Sequence, residues 1–113
     1  MLEDCRKYCQ QKTRGMYMRC LAIEEELKPI DAETMNDVLK EEAQVIWELY
    51  TEGVLREHYF KDESYLAVLV FECDSAKEVE ELVARLPLVR LGYIRFDCMA
   101  LRPYPGLSRL FAK

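Results

Sequence analysis

Across its 113 residues the chain contains one histidine, His58, and four glycines, Gly15, Gly53, Gly92 and Gly106. The glycines are scattered, and none opens a helix in a phosphate-cradling pattern, which argues against a nucleotide-binding loop. Five cysteines, Cys5, Cys9, Cys20, Cys73 and Cys98, form no CxxC pair. Cys5 and Cys9 would share a helix face, but two further ligands would have to come from positions that read as buried strand, so no metal site is expected. No basic run exceeds a pair, and 21 acidic residues against 16 Lys and Arg leave a net charge of -5. A phosphate backbone needs a clustered positive footprint, so nucleic acid is not expected as a partner. The longest nearly apolar stretches, 66–71 and 84–91, fall far short of the ~20 residues that span a bilayer, and the N-terminal segment MLEDCRKYCQQ carries no apolar signal. A cytoplasmic protein with no membrane partner is expected.

What is present reads as one small domain. Half of the residues are hydrophobic and 33% are charged, a globular balance. Residues 1–14 read as a polar N-terminal extension, with Leu2, Cys5, Tyr8 and Cys9 at helical spacing, and residues 15–113 as the folded domain with a C-terminal tail. From Met16 to Ile23 the apolar period is two, a strand fading into Glu24-Glu25-Glu26. Asp31 is the better of two caps for a long amphipathic helix carrying Met35, Val38, Leu39, Glu42, Val45, Ile46 and Leu49, which ends near Gly53. Val54–Phe60 and Tyr65–Glu72 read as a hairpin around the polar turn Lys61–Ser64. Ser75 with Glu78 makes a capping box for a helix over 76–86, closed by Pro87. Leu88–Leu101 reads as the last strand.

The order β-α-β-β-α-β on right-handed crossovers predicts an α+β fold, a four-stranded antiparallel sheet with two helices on one face. The strand over 65–72 is apolar on both sides, so the face away from the helices needs cover. Two such sheets packed across a two-fold axis would give a dimeric α+β barrel, and a homodimer or higher homo-oligomer is expected. Leu107, Leu110 and Phe111 are expected on the partner or over a cavity mouth.

The runs GVLREHYF at 53–60, YLAVLVFE at 65–72, LPLVRLGYI at 86–94 and LRPYPGLSRLF at 101–111 resemble the muconolactone isomerase-like branch of the dimeric, ferredoxin-like α+β barrel proteins. The likeness covers about residues 33–111. It implies an enzyme without metal or organic cofactor that shifts the double bond of a lactone bearing a carboxylate. Arg56 falls on the arginine that follows the glycine of the family's second strand, Leu86 and Pro87 on its LP pair, and Pro103 on a tail proline. Where the family has a histidine directly after the arginine, this chain has Glu57, and His58 stands one place later; such a step on a strand turns a side chain to the other face.

Read from the residues, His58 is the one side chain whose ordinary pKa suits a proton shuttle near neutrality. Strict alternation puts it on a face with Val54, Arg56 and Phe60. Arg56 would hold a carboxylate or enolate while His58 moves the proton. Glu57, on the other face with Tyr59, is the alternative base, joined there by Arg95 or Asp97. Tyr59, Arg95, Tyr93 and Tyr17 are candidates for contacting a small-molecule ligand, each with a plainer reading as core, interface or ion-pair residue. Three functions follow: a cofactor-free isomerase of a small carboxylated lactone or related cyclic compound, a non-catalytic ligand-binding or accessory protein of the same fold, or a cofactor-independent oxygenase.

Overall fold

The computed structural model describes residues 18–112, so the extension over 1–14 and Tyr17 lie outside the described residues. Strand β1 is Met18–Glu26, helix α1 Asn36–Thr51, strand β2 Leu55–Phe60 and strand β3 Ala67–Cys73. Helix α2 is Ala76–Val83, helix α3 Pro87–Arg90 and strand β4 Ile94–Leu101, followed by a 3₁₀ helix over Pro105–Phe111. The sheet order is β2-β3-β1-β4 with every neighbouring pair antiparallel. Each helical crossover therefore joins parallel strands that have one strand between them, the ferredoxin-like arrangement expected.

Two parts of the expected architecture are not found. The sheet is open, with β2 and β4 at its edges, and does not close into a barrel; four strands with two unpaired edges cannot complete a ring. Among the described residues four helical segments also stand where two were expected, and proline accounts for both additions. Leu86 is extended (φ -72°, ψ 130°), as a residue before proline tends to be, and Pro87 then starts α3 inside what reads as strand in the sequence. Tyr104 and Pro105 repeat the device at the 3₁₀ helix.

Register assigns the faces. Cys20 pairs with Phe71 and Ala100, and Ala22 with Leu69 and Cys98, so these residues share the helix side. Phe71, Leu69, Cys20, Ala22 and Cys73 are buried there under Leu49 of α1 and Val79 and Val83 of α2. The outer face carries Leu21, Ile23, Val68, Val70 and Met99, all half-buried, so β3 is apolar on both sides as expected. β1 runs on through Glu24–Glu26, beyond where its apolar alternation fades, because β4 pairs with it as far as Glu26 opposite Ile94. Ser75 Oγ accepts from the Glu78 amide, which gives the expected cap, while Glu78 Oε2 accepts from the amide of Asp74, one residue before the cap, where a capping box would return to Ser75 itself. Gly53 ends α1 at φ 86°, a left-handed turn that favours glycine.

Candidate functional site

The site begins with a defect in β2. Leu55 pairs with Phe71 and Glu57 with Val70, so Arg56 is an extra residue, a β-bulge on the edge strand. Beyond it His58 pairs with Leu69, Tyr59 with Val68 and Phe60 with Ala67. His58 and Phe60 therefore share the helix side with Leu55, while Glu57 and Tyr59 turn to the outer face. The alternation expected through Val54, Arg56 and His58 is broken at Arg56, which is exposed at the bulge.

Between α1 and the β2–β3 hairpin lies an open pocket of about 200 Å³, lined by Ile46, His58, Tyr59, Phe60, Ala67 and Leu69. That is space for roughly six waters at about 30 Å³ each, or one small ring. The walls are apolar apart from the imidazole. His58 meets Tyr50 edge to face with ring centroids 5.6 Å apart, which orients the imidazole from the end of α1. Tyr59 contributes to the wall from the strand itself, since its hydroxyl donates to Glu57 Oε1 at 2.7 Å on the outer face. That bond raises the Tyr59 phenol above its ordinary range.

Two carboxylates absent from the sequence-based candidates stand behind the pocket. Glu24 on β1 is only 7% exposed, and its Oε1 accepts from the amide of Ala67, a pocket residue, at 3.2 Å. Glu42 lies one turn before Ile46 on the same face of α1, and its Oε1 accepts from the Leu88 amide at 3.0 Å. Burial pushes both carboxyls above the ordinary carboxylate range, and the Glu24 charge pushes Glu42 further. In the sequence Glu24 is one of three consecutive glutamates, and nothing local marks it as inward. Glu42 was legible as an acid on an apolar helix face.

The remaining candidates are dispersed. Glu57 and Glu72 both pair with Arg19 on the outer face, at 3.3 and 3.4 Å. Arg95 binds Glu25 at 2.7 Å, also on the outer face, and holds that carboxyl below its ordinary range. Asp97 pairs with Ile23 in register and points the same way. Tyr93 lies at the end of the sheet with Lys28 Nζ 5.5 Å from its ring centre. Trp47 is 58% exposed and stacks at a tilt on Tyr50. Cys20 and Cys73 are buried and Cys98 half-buried, as small apolar residues would be. Burial raises the Cys98 thiol to about 11, so it is not a ready nucleophile at neutral pH. Among the described residues no group of three or more His, Cys, Asp or Glu could hold a metal ion. No described helix is long and apolar enough to cross a membrane.

Buried Glu24 and half-buried Glu42 give a prediction for stability. A carboxyl whose folded pKa is raised stabilises the fold fully below its unfolded value, near 4.5, and loses that contribution as pH rises through the raised folded value. Glu24→Gln and Glu42→Gln keep a carbonyl oxygen for the Ala67 and Leu88 amides and cannot ionise. Relative to wild type, both variants are expected to gain in melting temperature as pH rises from 4 to 8, with no gain at pH 4. One kcal/mol moves such a midpoint by roughly 4–8 °C in a domain of this size. Thermal melts across that range check it, and a pH-independent gap would contradict it.

The comparison with known proteins bears directly on this pocket. The sequence model of the family described as muconolactone delta-isomerase matches residues 21–106, from the middle of β1 into the 3₁₀ helix. The chain belongs to the muconolactone delta-isomerase family. The match takes in the bulge at Arg56, His58, Glu24, Glu42 and the whole pocket lining. No curated protein matches the chain.

Proposed function

We propose that the protein is a cofactor-free isomerase that moves a proton within a small carboxylated lactone or related cyclic compound, at the pocket between α1 and β2–β3. The observation that carries this reading is the position of His58: the chain's one imidazole sits in the wall of an apolar pocket sized for a single ring. In this reading His58 takes a proton from a ring carbon. The electron pair shifts toward the lactone carbonyl as an enolate, and the proton returns at the other end of the conjugated system, moving the double bond with no net change in composition. Arg56, permanently charged and two positions before His58 of the pocket wall, holds the carboxylate and stabilises the enolate oxygen. Glu24 and Glu42 stand behind the wall as carboxyls able to exchange a proton nearer neutrality than an ordinary carboxylate.

A structure of the protein soaked with muconolactone and related lactones and phenolic acids tests the reading, followed by turnover on whichever compound binds. Density beside His58 is expected. Density on the outer face beside Glu57 and Tyr59 would transfer the base role to Glu57. Binding at His58 with no turnover would favour the ligand-binding alternative.

We also propose, with this reading, a homodimer in the cytoplasm in which a second copy covers the outer sheet face. Its apolar centre of Leu21, Ile23, Val68, Val70 and Met99, bracketed by the Arg19 and Arg95 ion pairs, supports this. Light scattering at micromolar concentration is expected to give twice the 13.4 kDa chain mass or a multiple of it, and a monomer would refute it.

A further inference from the structure

Five rings stand in contact along the pocket and its mouth. Trp47 and Tyr50 of α1 meet at a tilt with centroids 6.1 Å apart, and Tyr50 meets His58 edge to face. Two residues further along β2, Phe60 shares the face of His58, and Tyr65 stands edge to face on Phe60 at 5.6 Å. Phe60 lines the pocket, whereas Tyr65 lies outside the lining and is 85% exposed. Exposed aromatic surface continuous with an apolar pocket is surface that a ligand larger than the pocket would remove from water. The pocket, at about 200 Å³, holds one ring, so a group that meets Tyr65 is a second group carried on that ring.

Charge orients such a ligand. Between Lys40 and Lys61 the chain has one Arg or Lys, Arg56, against Glu41, Glu42, Glu48, Glu52 and Glu57. Lys61 acts on the outer face, where its charge helps to hold the Glu25 carboxyl low. An anionic group on the ligand is therefore drawn to the bulge, and the opposite end of the ligand is uncharged. Positions 56, 58 and 60 follow one another along β2 at about 3.3 Å per residue, which sets the cation, the imidazole and the Phe60 ring in line at intervals of roughly 6–7 Å.

We propose that the substrate of this pocket is an aryl-substituted lactone, with its carboxylate at Arg56, its reacting ring at His58 and a planar apolar substituent, carried across the ring from the carboxylate, between Phe60 and Tyr65. The edge-to-face pair of Phe60 and Tyr65 leaves ring surface open to a third ring, and aromatic groups gain from offset or edge contacts beyond the area they bury. A flat substituent also has few rotamers to lose on binding. The inference rests on the reading of this pocket as a lactone site and adds the substituent that selects the substrate.

Saturated γ-butyrolactones test it, because a ring without a double bond cannot isomerise and reports binding alone. The γ-carboxymethyl compound is compared by isothermal titration calorimetry with its α-phenyl and α-cyclohexyl derivatives on the full-length protein. The phenyl compound is expected to bind about tenfold more tightly than the unsubstituted parent, and about threefold more tightly than the cyclohexyl compound. In Phe60→Ser/Tyr65→Ser the ratio of phenyl to parent affinity is expected to fall to near one. Should that variant not fold, Tyr65→Ser alone changes a side chain that is almost fully exposed and is expected to lower the same ratio. Equal binding of the phenyl compound and its parent would overturn the proposal and leave the exposed rings to a protein surface. So would a cyclohexyl compound that binds as tightly as the phenyl one, or a phenyl gain that survives the loss of both rings. Turnover of muconolactone with no phenyl gain would remove this inference alone, whereas a phenyl gain with no lactone turned over would remove the isomerase reading and leave the ligand class standing.

Discussion

His58→Gln is expected to lower turnover of a lactone substrate by about 10²–10⁴-fold, the usual range for a positioned general acid or base, while leaving its binding mostly intact. Glutamine keeps the polarity and approximate size of the side chain beside Tyr50 but neither takes up nor releases a proton near neutrality. Arg56→Ala should behave differently, raising KM and lowering kcat together, because the arginine holds the carboxylate of the bound substrate and interacts more strongly still with the enolate oxygen as charge builds in the transition state. Steady-state kinetics on the two variants separate these patterns. Unchanged kcat in His58→Gln would remove the imidazole from the chemistry and leave Glu24 or Glu42 as the base. Their glutamine variants would then carry the loss.

Phe71→Ala is expected to destabilise the domain by about 3–5 kcal/mol, the range for emptying a buried aromatic site. Phe71 is fully buried in the centre of the sheet, paired with Cys20 on one side and Leu55 on the other. The ring lies between the two strands that carry the bulge and the buried glutamate, so its loss loosens both walls of the site. Total stabilities of single domains are only about 5–15 kcal/mol, and a loss of this size leaves a marginal protein. Urea unfolding followed by circular dichroism gives the number directly. A loss below 1 kcal/mol would mean that the core under α1 is not packed as described.

Much of the frame was legible in the residues. The period-two runs around Leu21, Val68 and Phe96 and the 3.6-period stripe from Met35 to Leu49 gave three of the four strands and the long helix, and Ser75 with Glu78 located the start of α2. The restriction before Pro87 is also a local property, although its outcome, a separate short helix in place of strand at 88–90, was read as the end of one element and not the start of another. His58 stood out because the chain has no other imidazole.

The arrangement around His58 was decided by contacts far apart in sequence. Alternation along β2 would put Arg56 and His58 on one face. The pairing of Leu55 with Phe71 and of Glu57 with Val70 leaves Arg56 as an extra residue and sends His58 to the helix side with Phe60. A bulge is a property of two strands meeting and has no signature in one of them. Glu24 is inward because the β1–β4 register sets it opposite Phe96, on the face of Cys20 and Ala22, and its carboxylate reaches an amide 43 positions away. The dispersal of Glu57, Arg95 and Asp97 to the outer face follows from the same register. The sequence by itself determined the element order, the apolar faces and the candidate proton carrier, because these depend on local period and residue type. Strand register, the bulge and the burial of two carboxylates needed the tertiary structure, because each arises only when distant strands are brought side by side.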